Sequence, residues 1–315
     1  MDNHFYAGIH ARYRVHTRRA DGSIKQSTPW FDNLITATGL DYFLMGDTRF
    51  PVAVAGSGTA EPTLADTKLT GYLGKSGSPK AVKSTVNTDT SPYSVTKSLT
   101  FRFDPGSFGD NANIAEVGIA LGSDATATTP IISRALVTDE TGKKTVISVL
   151  KDESVDIEWA VTLSLKESSG TFKMTIDGSE KEFRYTIKPA NMSQSEPGYG
   201  WGMAGSSPGL TSILVNTQNG NTCAHATQEL GPITQTVNGA AKSSACSKAW
   251  SEPYTSGSFF RDYTLTFDLD AANFSIGAFT ILLNAFAVQM RIDPVVEKTA
   301  TKTFAWTFRA SLTNT

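Results

Sequence analysis

The sequence predicts an all-β protein made of two tandem β-sandwich domains, with a short helix in the first domain. Two stretches carry this prediction. Apolar residues recur at alternate positions through residues 93–103, and every odd position from 155 to 165 is apolar. Such alternation buries one face of a strand and leaves the other in water, as in antiparallel sheets. Charged residues make up 18% of the chain, below the usual share of about 25%, which suits a turn-rich β protein.

The first domain is predicted over residues 1–165 and begins with a long strand at about residues 6–18. In this strand the odd positions from 9 to 15 are apolar, and the even positions from 10 to 18 are His or Arg. A basic row of this kind could contact a phosphate or an acidic partner. We interpret it instead as a solvated sheet face, because exposed strand faces commonly carry charge.

Two further segments of the first domain are assigned from their composition. Residues 36–45 place Leu40, Phe43 and Leu44 on one side, which predicts a short helix. Residues 74–92 contain Ser, Thr, Lys, Gly and Pro with almost no large apolar residue, which predicts a long surface loop. Long loops in compact domains commonly serve binding or assembly. We take this one as a candidate assembly loop, with contact side chains Lys75, Lys80, Lys83 and Tyr93.

The second domain is predicted over residues 166–315 because the order of elements begins again there. Alternation and a DGS turn near residue 177 match the first strand and its turn, residues 263–269 echo 99–103, and residues 303–312 echo 157–163. Four correspondences in one order suggest an internal duplication. Trp159 and Trp306 are predicted to lie in core strands of their respective domains.

Several short motifs in the first domain resemble the core of tailed-bacteriophage tail and tail-fibre-associated structural proteins. The central motif is Asn-Ile-Ala-Glu-Val-Gly-Ile at residues 113–119, and the resemblance covers roughly residues 30–165. The second domain lacks it, with Asn-Phe-Ser-Ile-Gly-Ala-Phe at residues 273–279. The resemblance implies a virion protein, made in the cytoplasm of the host bacterium, that contacts copies of itself and other tail proteins.

Composition argues against several other classes of function. A net charge of −2 gives no reason to expect nucleic-acid binding. No run of 18 apolar residues is present, so we expect no membrane insertion. The first residues lack the features of a signal peptide, from which we expect a protein that stays in the cell that makes it. Cys223 and Cys246 are expected to be free thiols there, although a bridge formed after release remains open.

No constellation of residues typical of catalysis or of metal or cofactor binding is recognised, so we expect a protein that is not an enzyme. Cys223 and His225 would share a strand face, but no third group to orient them is evident. Glu116 lies among apolar residues and is expected to form a structural ion pair with an arginine, either Arg134 or Arg102.

Function is therefore expected to be architectural: a component of the distal tail, baseplate or fibre attachment that assembles as a homo-oligomer. Two alternatives stay open. One is an adhesin for host surface glycans, with Tyr199 and Trp201 as candidate contacts because they are aromatic residues among glycines. The other is a collar or head decoration protein.

Overall fold

The computed structural model describes residues 4–45, 49–192, 222–237, 239–283 and 287–315. Within these residues one helix, α1 (Ala37–Leu44), accompanies twenty-two strands, and the predicted all-β class is confirmed. The strands are β1 (His4–Arg18), β2 (Ile24–Ser27), β3 (Phe31–Asp32), β4 (Leu34–Ile35), β5 (Pro51–Gly56), β6 (Tyr72–Lys75), β7 (Ala81–Asn87), β8 (Tyr93–Phe103), β9 (Ala112–Ile114), β10 (Glu116–Leu121), β11 (Ile131–Leu136), β12 (Ile147–Val149), β13 (Ser154–Leu165), β14 (Ser168–Ile176), β15 (Ser179–Ala190), β16 (Cys223–His225), β17 (Ser243–Ala245), β18 (Lys248–Ser251), β19 (Phe260–Phe267), β20 (Ser275–Leu282), β21 (Ala287–Glu297) and β22 (Phe304–Asn314).

The strands form three main sheets that enclose a common core. The large sheet has nine strands, in the order β18-β19-β22-β1-β13-β8-β7, with β2 and β3 paired to β1. A five-stranded sheet, β4-β11-β10-β5-β6, and a six-stranded sheet, β14-β15-β21-β20-β16-β17, complete the layers. Strands β9 and β12 make a separate ribbon. One contiguous core cluster contains buried side chains from all three main sheets, which gives the sandwich-like arrangement.

Strand β1 sorts its residues by parity as the sequence predicts. Ile9, Tyr13 and the other odd positions are buried, while the even positions are partly or fully exposed. The outer arginines are matched by acids on the next strand: Arg14 Nη2 donates to Glu158 Oε2 at 2.6 Å, and Arg18 Nε donates to Asp156 Oδ2 at 2.8 Å. Because Arg14 and Arg18 are paired across strands, their charges are neutralised within the sheet, which favours the solvated interpretation of this face.

Asp156 on β13 binds two arginines. Arg102 donates to both oxygens of Asp156, at 2.7 and 2.8 Å, in addition to the bond from Arg18. Burial alone would raise the pKa of Asp156, but the hydrogen bonds and charges of Arg102 and Arg18 outweigh it, so the pKa is lowered. Arg102, one of the two partners considered for Glu116, is therefore committed to a different carboxylate.

Helix α1 lies where residues 36–45 predict it. Thr36 caps its N-terminus by accepting a hydrogen bond from Gly39 N at 3.1 Å. Gly39 is required by close packing, because an added Cβ atom would lie 2.0 Å from the carbonyl oxygen of Ile132. Leu40 and Phe43 are buried in the core, so the amphipathic pattern determines how the helix packs.

The two halves of the chain repeat one strand topology. The order β4-β11-β10-β5-β6 corresponds to β15-β21-β20-β16-β17, and β13-β8-β7 corresponds to β22-β19-β18, with the strands in the same chain order. The hairpin of β1 and β2 likewise corresponds to that of β14 and β15. Shared topology over this many strands is what an internal duplication produces.

Strands from both halves nevertheless belong to one sheet. Strand β1 pairs antiparallel with β13 and parallel with β22, whose residues 309–314 lie opposite residues 4–9. The boundary at residues 165 and 166 remains a prediction. The shared sheet indicates that, whatever the evolutionary unit, the two halves stabilise each other.

A second connection joins α1 to residues 254–261. Arg261 donates from Nε and Nη2 to the carbonyl oxygen of Leu44, at 3.0 and 2.6 Å, which places a cation at the helix C-terminus. Asp41 on the same helix accepts hydrogen bonds from Tyr254, Ser256 and Gly257 N. The helix of the first half is thus fixed by side chains of the second half.

Replacing Trp306 by Ala tests this coupling. Trp306 is buried and stacks on Phe279 and Phe308, each with ring centroids 5.2 Å apart. We expect a loss of about 3 to 5 kcal/mol in unfolding free energy. Because β22 pairs with β1, differential scanning calorimetry should show one transition at a lower temperature.

The matched control is Trp30→Ala, since Trp30 is only half-buried and should lose less stability. If Trp306→Ala instead produces two transitions, with that of residues 1–165 unmoved, the two halves are independent domains and the coupling inferred from the shared sheet is wrong.

Candidate assembly edge

Strand β7 forms one end of the large sheet. It pairs antiparallel with β8 from Ala81 opposite Thr100 to Asn87 opposite Ser94, and no other described strand pairs with it. The prediction of one long surface loop over residues 74–92 is therefore wrong: residues 74–75 end β6 and residues 81–87 form β7. An edge strand has few apolar residues because neither face is fully covered, so composition alone does not distinguish it from a loop.

The turn that joins β7 to β8 is organised by one side chain. Asn87 Nδ2 donates to the carbonyl oxygen of Thr90 at 3.0 Å, and Asn87 Oδ1 accepts from Asp89 N at 3.1 Å. Asn commonly stabilises turns through such local bonds. The hairpin fixes β7 as a continuous extended segment of seven residues.

The four residues proposed for the assembly loop are placed differently from one another. Lys83 is exposed in the middle of β7, and Lys80 precedes the strand with its N–H bonded to the Thr100 carbonyl at 2.7 Å. Tyr93 begins β8 and is half-buried against the core. Lys75 ends β6 in the five-stranded sheet, where its Nζ donates to the carbonyl oxygen of Ser123 at 2.5 Å. Three of the four thus lie along one hairpin, and Lys75 belongs to another sheet.

Residues 57–71, which lead into β6, are held in place by a buried ion pair. Arg134 Nε donates to Glu116 Oε2 at 2.8 Å, and the two side chains are 1% and 0% exposed. Glu116 on β10 and Arg134 on β11 are adjacent-strand neighbours, since Gly118 pairs with Arg134. Of the two partners considered from the sequence, Arg134 is the one that the structure brings to Glu116.

Both members of the pair have further partners. Glu116 Oε1 accepts from Gly58 N at 3.1 Å, from Gly71 N at 2.7 Å and from the Thr70 hydroxyl at 3.2 Å. Arg134 also donates to Asp66 Oδ2 and to the carbonyl oxygen of Ala60, both at 2.7 Å. A buried charge pair is tolerated when its remaining hydrogen-bonding capacity is used, and here it is used to hold residues 57–71.

The sequence could not identify most of these partners. Asp66 and the backbone groups at residues 58, 60 and 71 lie in irregular segments, where no periodicity indicates which groups point inward. The spacing of Gly58 and Gly71 is a partial signal, because an added Cβ on Gly58 would lie 2.3 Å from Glu116 Oε1.

Cys223 and His225 share a strand but not the charges that nucleophilic catalysis needs. Burial raises the pKa of Cys223 and lowers the pKa of His225 to about 4, so both groups are held in their neutral forms. The two ring nitrogens of His225 are already engaged by the hydroxyls of Ser243 and Thr280, at 2.9 and 3.0 Å. A thiolate and imidazolium pair is therefore disfavoured here.

Other sequence candidates are placed as follows. Neither Cys223 nor Cys246 forms a disulfide in the structure. In the described part of the chain, no three His, Cys, Asp or Glu side chains come together as a metal site. Tyr199 and Trp201, the candidate glycan contacts, lie outside the described residues.

No helix in the described ranges is long and apolar enough to cross a membrane. Comparison of the chain with protein-family models, with curated proteins and with solved structures found no match.

Replacing Arg134 by Met tests the buried pair. The substitution leaves the Glu116 carboxylate buried without its cation, and we expect it to lower the unfolding free energy by about 3 to 5 kcal/mol. The double variant Glu116→Gln with Arg134→Met should recover part of this loss, because no charge is then stranded. Urea unfolding monitored by circular dichroism measures both.

The matched control is Lys173→Met. Lys173 pairs with Glu180 at 2.7 Å, but both side chains are about 60% exposed, so we expect little change in the unfolding free energy. An Arg134→Met protein as stable as the control would show that the pair does not stabilise residues 57–71.

Proposed function

We propose that the chain is a structural component of a bacteriophage tail, at the distal tail, baseplate or fibre attachment, and that it assembles through the β7 edge. The observation that carries the assembly step is the position of β7 at the end of the large sheet, where it pairs with β8 on one side and with no described strand on the other. Such an edge can accept a strand from another chain. The phage assignment is supported by the resemblance of residues 30–165.

The chemistry of β7 favours a specific partner over general aggregation. Lys83 is exposed and forms no ion pair with any described residue, and a charge on an edge strand disfavours pairing with apolar strands. A partner strand that places an acidic residue opposite Lys83 would remove this penalty. Val82 exposes 37% of its surface at the same edge, and an added strand would cover it.

The partner at the β7 edge is a second copy of this chain. A closed ring around a tail axis requires a heterologous interface, in which one patch contacts a different patch on the next copy. The β7 edge supplies one such patch at one end of the large sheet. Other tail proteins then contact the ring through its remaining surfaces.

Replacing Lys83 by Glu tests this proposal without removing the strand. Deleting the segment would expose β8, whereas this substitution changes the charge at an exposed position. We expect the dissociation constant of the oligomer to rise about tenfold or more, measured by sedimentation velocity. Lys143→Glu, at an exposed turn position, is the control and should assemble normally.

Purified phage particles test whether the protein is located in the tail. Phage grown with the Lys83→Glu protein should contain less of it in their tails than phage grown with the control variant. Normal assembly of Lys83→Glu would remove β7 as the interface, and a wild-type chain that stays monomeric and absent from tails would refute the architectural role.

A further inference from the structure

We infer that β7 is a detachable strand, and that the buried amine of Lys97 on the neighbouring strand β8 determines how readily it leaves the large sheet. The cross-strand neighbour of Lys97 on β7 is Ser84. Release of β7 would uncover the edge of β8. This behaviour belongs to the single chain, so it does not depend on assembly at the β7 edge.

Lys97 is the one charged side chain on the inner face of β8. Apolar residues occupy the alternate positions from 93 to 103 except at position 97. Only 1% of Lys97 is exposed, and its Nζ atom has no hydrogen-bond partner among the described residues. The strand therefore carries an amine into the core at a position where its pattern otherwise places an apolar side chain.

The surroundings of this amine are apolar. Lys97 lies between Val95 and Leu99 on the same face of β8, opposite Val161 on β13 and opposite Ser84 on β7. No charged or titratable side chain of the described residues, on these strands or on the sheets packed against them, offsets the effect of burial. Burial consequently lowers the pKa of Lys97 from 10.5 to about 8. A buried ammonium group without a partner destabilises the state that encloses it.

Few interactions hold β7 in place. Among the described strands it pairs with β8 alone, and only Val86 of its seven residues is buried. Strand β8, by contrast, is paired with β13 along its whole length. Detaching β7 therefore breaks one strand pairing and exposes little apolar surface, while it opens one side of Lys97 to water.

The effect of pH follows from the two protonation states of Lys97. With β7 attached the pKa is about 8, and with β7 detached the amine is in water, where its ordinary value is 10.5. As the pH falls from 10.5 towards 8, the detached state takes up a proton that the attached state does not, so attachment weakens. Below pH 8 both states become protonated and the weakening is complete. Attachment of β7 is thus weakest at neutral and lower pH.

Native-state proteolysis by trypsin tests the inference, because cleavage after Lys83 in β7 requires this strand to leave the sheet. The rate is divided by that of cleavage after Lys143, at an exposed turn position, which corrects for the activity of trypsin at each pH. We expect the corrected rate of the wild type to be about tenfold or more higher at pH 7 than at pH 9.5. Lys97→Met, which is similar in size and uncharged, should slow this cleavage at pH 7 by about tenfold or more and remove most of the pH dependence.

Lys181→Met is the matched control, since Lys181 is exposed on β15, and this variant should be cleaved after Lys83 as the wild type is at both pH values. Cleavage after Arg102 on β8 reports unfolding beyond β7 and should be much slower than cleavage after Lys83. Equal rates at these two sites, a wild-type rate that does not change with pH, or a Lys97→Met protein cleaved as fast as the wild type would each overturn the inference. None of these results bears on assembly, which the Lys83→Glu variant tests separately.

Discussion

Hydrogen bonding on both sides of β1 is the constraint on which the rest of the structure depends. The strand pairs with β13 through residues 7–18 and with β22 through residues 4–9, so it closes the first and last segments of the chain into one sheet. Its inward side chains are all buried, and they contribute to the core that the smaller sheets cover. The two halves, which repeat one strand order, are thus joined through a strand that pairs with both of them.

Two very different environments for charge accompany this architecture. On the outer face, Arg14, Arg18 and Arg102 are neutralised by acids on the neighbouring strand, and their guanidinium groups stay partly exposed. Inside, Glu116 and Arg134 are fully desolvated and hold an irregular segment through backbone bonds. Lys83 belongs to neither class: it is exposed on an edge strand and pairs with no acid among the described residues, and we propose that its partner lies in another chain.

Local pattern and long-range pairing explain what the sequence could predict. Period-two alternation identified β1, β8 and β13, and an isolated acid among apolar residues indicated the Glu116 pair. The β7 strand was missed because an uncovered edge has no alternation, and the pairing of β1 with β22 was missed because no local signal connects residues some 300 positions apart.

Hydrogen–deuterium exchange, measured below and above the concentration at which the chain assembles, tests the central claim most directly. If the β7 edge accepts a strand from a second copy, amides of residues 81–87 gain protection on assembly, because groups that faced solvent become hydrogen bonded. Unchanged exchange at residues 81–87 in an assembled sample, with protection gained elsewhere, would contradict the account.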